Sequence, residues 1–202
     1  TFIYNTFEKL MKAISKSLKK NDPNHLNLGI RYGYIEQLDD ELLRISKESF
    51  DALSFNCYAL SPDHEKMNHA LEISGLQMII GEYHFGTVDR GLAQSLWQVN
   101  SQKERGDAFR YYTENAFAHR GLIGTGWFRW IDQNINGRTD GENYNCGFID
   151  VTDRPYPYMV DAAIEAAKSL YEIHSGTKTP FHQAPNACLL YTSPSPRDGL
   201  LS

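Results

Sequence analysis

The sequence predicts an α/β protein built on a parallel sheet, and more narrowly the C-terminal half, strands five to eight, of a (β/α)8 TIM barrel. Three observations carry this. Helical and strand-like segments alternate along the chain. No Gly-rich phosphate-binding turn follows any strand, which weighs against an open doubly wound sheet. Polar and aromatic residues gather where strands end: Arg31 and Tyr32, Asn56 and Tyr58, Glu82 and His84, Trp127 and Trp130. In a barrel those ends form one face, and that face carries catalysis. Four strands make half a barrel, so the first half is expected upstream of Thr1.

The elements follow from the pattern in order. Phe2, Ile3, Phe7, Leu10, Met11, Ile14 and Leu18 recur at helical spacing with lysines opposite, and NDPNH ends that helix. HLNLGIRYG alternates and predicts a strand ending at Arg31-Tyr32-Gly33. LDDELLRISKESF predicts a helix with acids in its first turn. DALSFNCYAL reads as a strand. SPDHEKMNHALEISG predicts a helix capped by Ser61, with Pro62 at its first position and Gly75 past its end. LQMIIGEYHFG is the next strand, followed by a helix from roughly Ala93 to His119. GLIGTGWFRWID is the last strand. QNINGRTDGENYNCGFIDVTDRPYP is a polar, Gly-rich excursion, and YMVDAAIEAAKSLYEIHSG is a closing helix.

Composition narrows the function classes. A net charge of −5 argues against general nucleic-acid binding, and no apolar run approaches membrane-spanning length, so neither nucleic acid nor membrane is expected as a partner. Aromatic residues stand at 12%, which fits a surface that grips sugar-like ligands and equally a Tyr-rich core. Cys57 and Cys146 are too few for a disulfide framework. The third cysteine lies in CLLYTSPSPRD, residues 188–198, a string that resembles a translated sequencing adapter. The expected organisation is therefore a partial barrel domain over residues 1–180 and a disordered, largely adapter-derived tail over residues 181–202.

Glu82 draws attention because it ends an apolar strand, Met78-Ile79-Ile80, that should be covered on both faces. A carboxylate there points into the mouth of a barrel. Glycosidases place two carboxylates at such strand ends, one as general acid and one that attacks the anomeric carbon or activates water. A solvated strand-end residue, or a structural pair with Arg31, satisfies the same position. Counting strands from a half-barrel puts Glu82 on strand seven.

The blocks DPNHLNLGIRY, GEYHFGTVDRGL, GTGWFRWIDQ and GRTDGENYNCGFIDVTDRPYP together resemble the C-terminal half of the catalytic barrel of glycoside hydrolase family 50, the β-agarases. The resemblance implies a retaining hydrolase that cleaves β-1,4-galactosidic bonds of agarose to neoagaro-oligosaccharides. A family 42-like β-galactosidase and an inactive sugar-binding fragment are the alternatives. It implies Glu82 as nucleophile, with the acid/base Glu on strand four, upstream of this chain. It implies a galactan polysaccharide or oligosaccharide as partner, no cofactor, and a secreted or periplasmic full-length protein. A half-barrel lacking the acid/base residue is expected to be inactive alone.

Around Glu82, the resemblance implies that Tyr58 donates a hydrogen bond to the carboxylate, with a satisfied core tyrosine as the alternative. Asn56 and Arg31 are polar strand-end residues placed to bind substrate. His84, two residues on, is either a ligand for a sugar hydroxyl or a buried structural histidine. The resemblance implies a tryptophan on the last strand as sugar platform, and Trp127 is preferred over Trp130 because the two differ in alternation. Glu142 and Asn143, with Arg138, are expected to bind hydroxyls from the long loop, with a self-bonded Asx-rich loop as the alternative. Asp132, Asn134, Asn136 and Gly137 match part of an EF-hand loop, but position twelve is Asn143 rather than glutamate and the preceding segment reads as strand, so no metal is expected. His64 and His69 lack the spacing of a helical zinc pair.

Overall fold

A computed structural model describes residues 1–189. Five helices, α1 (Phe2–Asn21), α2 (Asp40–Ser49), α3 (His64–Ser74), α4 (Gln102–Phe117) and α5 (Pro157–His174), alternate with strands β1 (Arg31–Tyr32), β2 (Leu53–Asn56), β3 (Met78–Tyr83) and β5 (Leu122–Trp127). Those four strands form one parallel sheet in the order β1-β2-β3-β5. Strand order follows chain order, so the sheet has no reversal of the kind that creates a nucleotide-binding crevice in doubly wound folds. Two short strands, β4 (Trp97–Gln98) and β6 (Cys188–Leu189), pair antiparallel outside it. Among the described residues no helix is long and apolar enough to cross a membrane.

Local chemistry fixes the helix boundaries. Asp39 caps α2 by accepting from the Leu42 N–H, and Asp40 and Glu41 follow in the first turn, where the helix dipole favours acids. The cap of α3 is Asp63 rather than Ser61, because its carboxylate accepts from both Glu65 and Lys66 N–H groups. Gly75 ends α3 in the left-handed conformation, its N–H bonded to Leu71 O. The helix expected from Ala93 starts at Gln102 instead. Ser101 and Glu104 form its start signal, the Ser101 hydroxyl accepting from Glu104 N–H and the Glu104 carboxylate from Asn100 N–H. The residues before it are drawn into a loop, where Ala93 exchanges backbone hydrogen bonds with Asn143 and Asn145. The strand expected over HLNLGIRYG pairs only at Arg31–Tyr32.

The core lies between sheet and helices. Leu53, Phe55, Met78, Ile80 and Leu122 pack from the strands against Leu43, Met67, Tyr112 and Met159 of the helices, all essentially inaccessible. Each such side chain contributes roughly 1.5–3 kcal/mol of burial. Past α5 the chain turns back along α4. The Phe181 N–H donates to the buried Glu114 carboxylate, and Arg110 lies over the Phe181 ring. Of the tail expected to be disordered, residues 190–202 lie outside the described residues.

Candidate active site

Strand alternation alone would send Glu82 into the helix layer. Met78 and Ile80 face the helices, and 82 continues that series. A bulge prevents it. Phe55 pairs with Ile80 but Asn56 pairs with Glu82, and on the other side Ile80 pairs with Thr125 but Tyr83 with Trp127. The strand therefore carries one extra residue around Gly81, and its phase changes. Tyr83 takes the helix side, stacked 4.0 Å from Tyr112, with its hydroxyl 2.5 Å from Thr113 Oγ1. Glu82 is turned to the opposite, open face.

There Glu82 meets three side chains: Arg31 of β1, Asn56 of β2 and Tyr58 just past the end of β2. The Tyr58 hydroxyl donates to Glu82 Oε2 at 2.7 Å, and Asn56 Nδ2 donates to the same oxygen at 3.1 Å. Arg31 Nη2 lies 2.8 Å from Oε1. The Glu82 side chain is 16% exposed and that of Arg31 51%, so the carboxylate is recessed while its cation partner reaches into solvent. Burial raises the Tyr58 pKa, and the Glu82 carboxylate raises it further, so the phenol stays protonated and acts toward Glu82 only as a donor. Trp97 Nε1 holds the backbone of Tyr58 through its carbonyl.

His84 does not join the open site. Its Nδ1–H donates to Phe128 O at 3.0 Å, and its Nε2 accepts from Leu96 N–H at 3.3 Å. Both nitrogens are spent on backbone, leaving none for a sugar hydroxyl. The ring is 2% exposed and meets Tyr58 edge-on at 4.8 Å, so it acts as a wedge behind that tyrosine. Burial pushes its pKa down to about 3.

Trp127 is likewise elsewhere. It shares the helix-facing side with its ladder partner Tyr83, lies edge-on to Phe109 and Phe148, and donates from Nε1 to Cys146 O at 2.7 Å. Phe128, just past β5, lies 5.8 Å from the His84 ring and beneath the Arg138 guanidinium. Trp130 is 68% exposed and stacks on Phe148. Glu142 is held by Gln133 Nε2 and Arg138, while Asn143 Nδ2 reaches Ile135 O. The loop carrying them approaches the site through Tyr144, edge-on to His84 at 5.8 Å.

Beneath that loop lies a buried polar knot that the sequence pattern did not reveal. Asp132 accepts from Gly147 N–H, Asn145 Nδ2 and the Tyr156 hydroxyl. Asn145 Oδ1 accepts from Thr87, Gln102 and Arg105, and Arg105 also donates to Gly147 O. The Arg105 guanidinium, with no exposure, lies 4.7 Å over the Tyr156 ring. The knot ties the segment after β3, the start of α4 and the loop after β5 into one unit.

No family model matches the chain. β-Agarase A of Vibrio sp. (strain JT0107) is 36% identical over 166 residues, which cover 79% of this chain and 16% of that agarase. Among solved structures, PfGH50B superposes with a TM-score of 0.78 at 36% identity, covering 83% of this chain and 24% of that one. An exo-β-agarase superposes with a TM-score of 0.77 at 33% identity, covering 84% and 23%. The chain spans about a sixth of the length of the curated relatives it matches.

Proposed function

This chain is homologous to the β-agarases of glycoside hydrolase family 50, and we propose that it supplies the nucleophile-bearing half, strands five to eight, of a (β/α)8 agarase domain. The observation that carries the reading is the Glu82 carboxylate, turned by a bulge onto the open face of the sheet and held there by Tyr58, Asn56 and Arg31. A closed barrel would also cover the free edges of β1 and β5 and the exposed apolar groups Phe2, Ile3, Leu10, Ile123 and Tyr171.

In this reading Glu82 attacks the anomeric carbon of a β-1,4-linked galactose and forms a glycosyl-enzyme. Oε2 already takes two donors and Oε1 one, so Oε1 keeps a lone pair for the attack. Tyr58 fixes the carboxylate rotamer and stabilises its charge as it departs in the second step. A second glutamate, contributed by sequence outside this chain and about 5–5.5 Å from Glu82, protonates the leaving oxygen and later activates water. Glu142 and Asn143 meet sugar hydroxyls from the loop that approaches the site through Tyr144. The substrate is agarose and the products are neoagaro-oligosaccharides. A polymer of that size places the working protein outside the cytoplasm.

The test is a chimera in which this chain replaces the matching 166-residue segment of β-agarase A. Release of reducing ends from agarose, with the new end first appearing as the β-anomer by NMR, is the expected result. A folded chimera without activity, or one giving the α-anomer first, contradicts the proposal.

A further inference from the structure

Glycine inside a strand gives up chain entropy and packs nothing, so its presence needs a cause. Gly81 lies within β3, and its φ is not in the left-handed region. Its backbone is open to any residue, so the cause is space. A Cβ at Gly81 would lie 2.3 Å from Arg31 Cδ, 3.1 Å from Arg31 Cγ and 3.3 Å from Asn56 Oδ1. The ladder explains the crowding. Arg31 is level with Ser54, and Ser54 with Ile79. To reach Glu82 the Arg31 side chain must cross β2 and climb the sheet, and its stem passes over Gly81.

We propose that Gly81 is a positioning residue for Glu82, its missing side chain being the track on which Arg31 crosses the sheet to Oε1. Oε2 is thereby left to Tyr58 and Asn56, and the two oxygens of one carboxylate keep different partners. The track itself is a matter of packing. Its effect on turnover rests on the glycosidase reading above.

A cycle of four proteins separates these levels: wild type, Gly81→Ala, Arg31→Ala and the double variant. In the 202-residue chain, Gly81→Ala lowers the urea midpoint because the methyl displaces the Arg31 stem. In the Arg31→Ala background the same change leaves the midpoint unchanged or raises it, because alanine restricts the unfolded chain more than glycine does. If Gly81→Ala alone does not fold and the double variant does, the track is supported. Equal damage in both backgrounds, including failure of both to fold, overturns it, because the fault then lies in the bulge backbone. No effect of Gly81→Ala in the wild-type background overturns it as well.

In the chimera, Gly81→Ala and Arg31→Ala each lower kcat on the order of tenfold or more, the double variant falls no further, and KM changes little. Additive kcat losses beside a coupled midpoint make the track purely structural and refute the positioning role. A chimera with no agarase activity removes the glycosidase reading, while the urea cycle still decides the track.

Discussion

Tyr58→Phe isolates one hydrogen bond to Glu82. The hydroxyl sits 2.7 Å from Oε2, in a partly buried setting where a bond to a charged acceptor contributes roughly 1.5–3 kcal/mol. Asn56 Nδ2 still donates to that oxygen at 3.1 Å and Arg31 to the other, so the carboxylate is not left bare. The lower part of the range applies, about 1.5–2 kcal/mol, or roughly 10–30-fold in rate. The loss falls hardest on the second step, when Glu82 departs as a carboxylate and recovers the charge that Tyr58 stabilises. Glycosyl-enzyme then accumulates, so KM drops along with kcat. The fold is spared, because the ring keeps its edge contact with His84 and the backbone its bond from Trp97. The assay is initial-rate kinetics of the chimera on agaro-oligosaccharides, with urea unfolding as control. A kcat within twofold of wild type, or a raised KM at unchanged kcat, refutes the reasoning.

Two further predictions concern what holds the site. His84 has a pKa of about 3 in the fold against an ordinary 6.5, so the unfolded chain binds its proton first. Its stabilising effect is complete above about pH 6.5 and is lost as pH falls toward 3, at roughly 1.4 kcal/mol per pH unit for one linked proton. His84→Gln should flatten the stability–pH slope between pH 6 and 4 by up to one proton, read from urea midpoints of the chain; an unchanged slope contradicts the buried neutral ring. Asp132→Ala strips the acceptor from three buried donors and removes a carboxylate whose charge favours the buried Arg105 guanidinium, so it should cost about 3 kcal/mol or more of unfolding free energy. A loss below about 1 kcal/mol would mean that the knot is not cohesive.

The α/β alternation was legible because each segment shows one dominant period, and the meeting of Glu82, Tyr58, Asn56 and Arg31 because each lies at or within two residues of the end of a strand. The bulge was not legible. Nothing in Ile80-Gly81-Glu82 reveals an extra residue, yet that residue decides which face Glu82 takes. The side that Trp127 takes is not legible, because alternation along β5 has no anchor until its pairing with Tyr83 is known. The sequence leaves both readings of His84 open, because backbone partners such as Phe128 O and Leu96 N–H leave no mark in it. The knot escaped because Gln102, Arg105, Asp132 and Asn145 sit in polar segments that read as ordinary surface. Only the fold brings them together and buries them.

The most direct test of the account is Glu82→Gln in the chimera. The amide keeps the size of the side chain and cannot act as a nucleophile. The predicted result is turnover of agarose below about a thousandth of the parent rate, with folding and oligosaccharide binding largely retained. A residual rate on the order of a tenth of the parent would contradict it, because without the nucleophile the covalent intermediate cannot form.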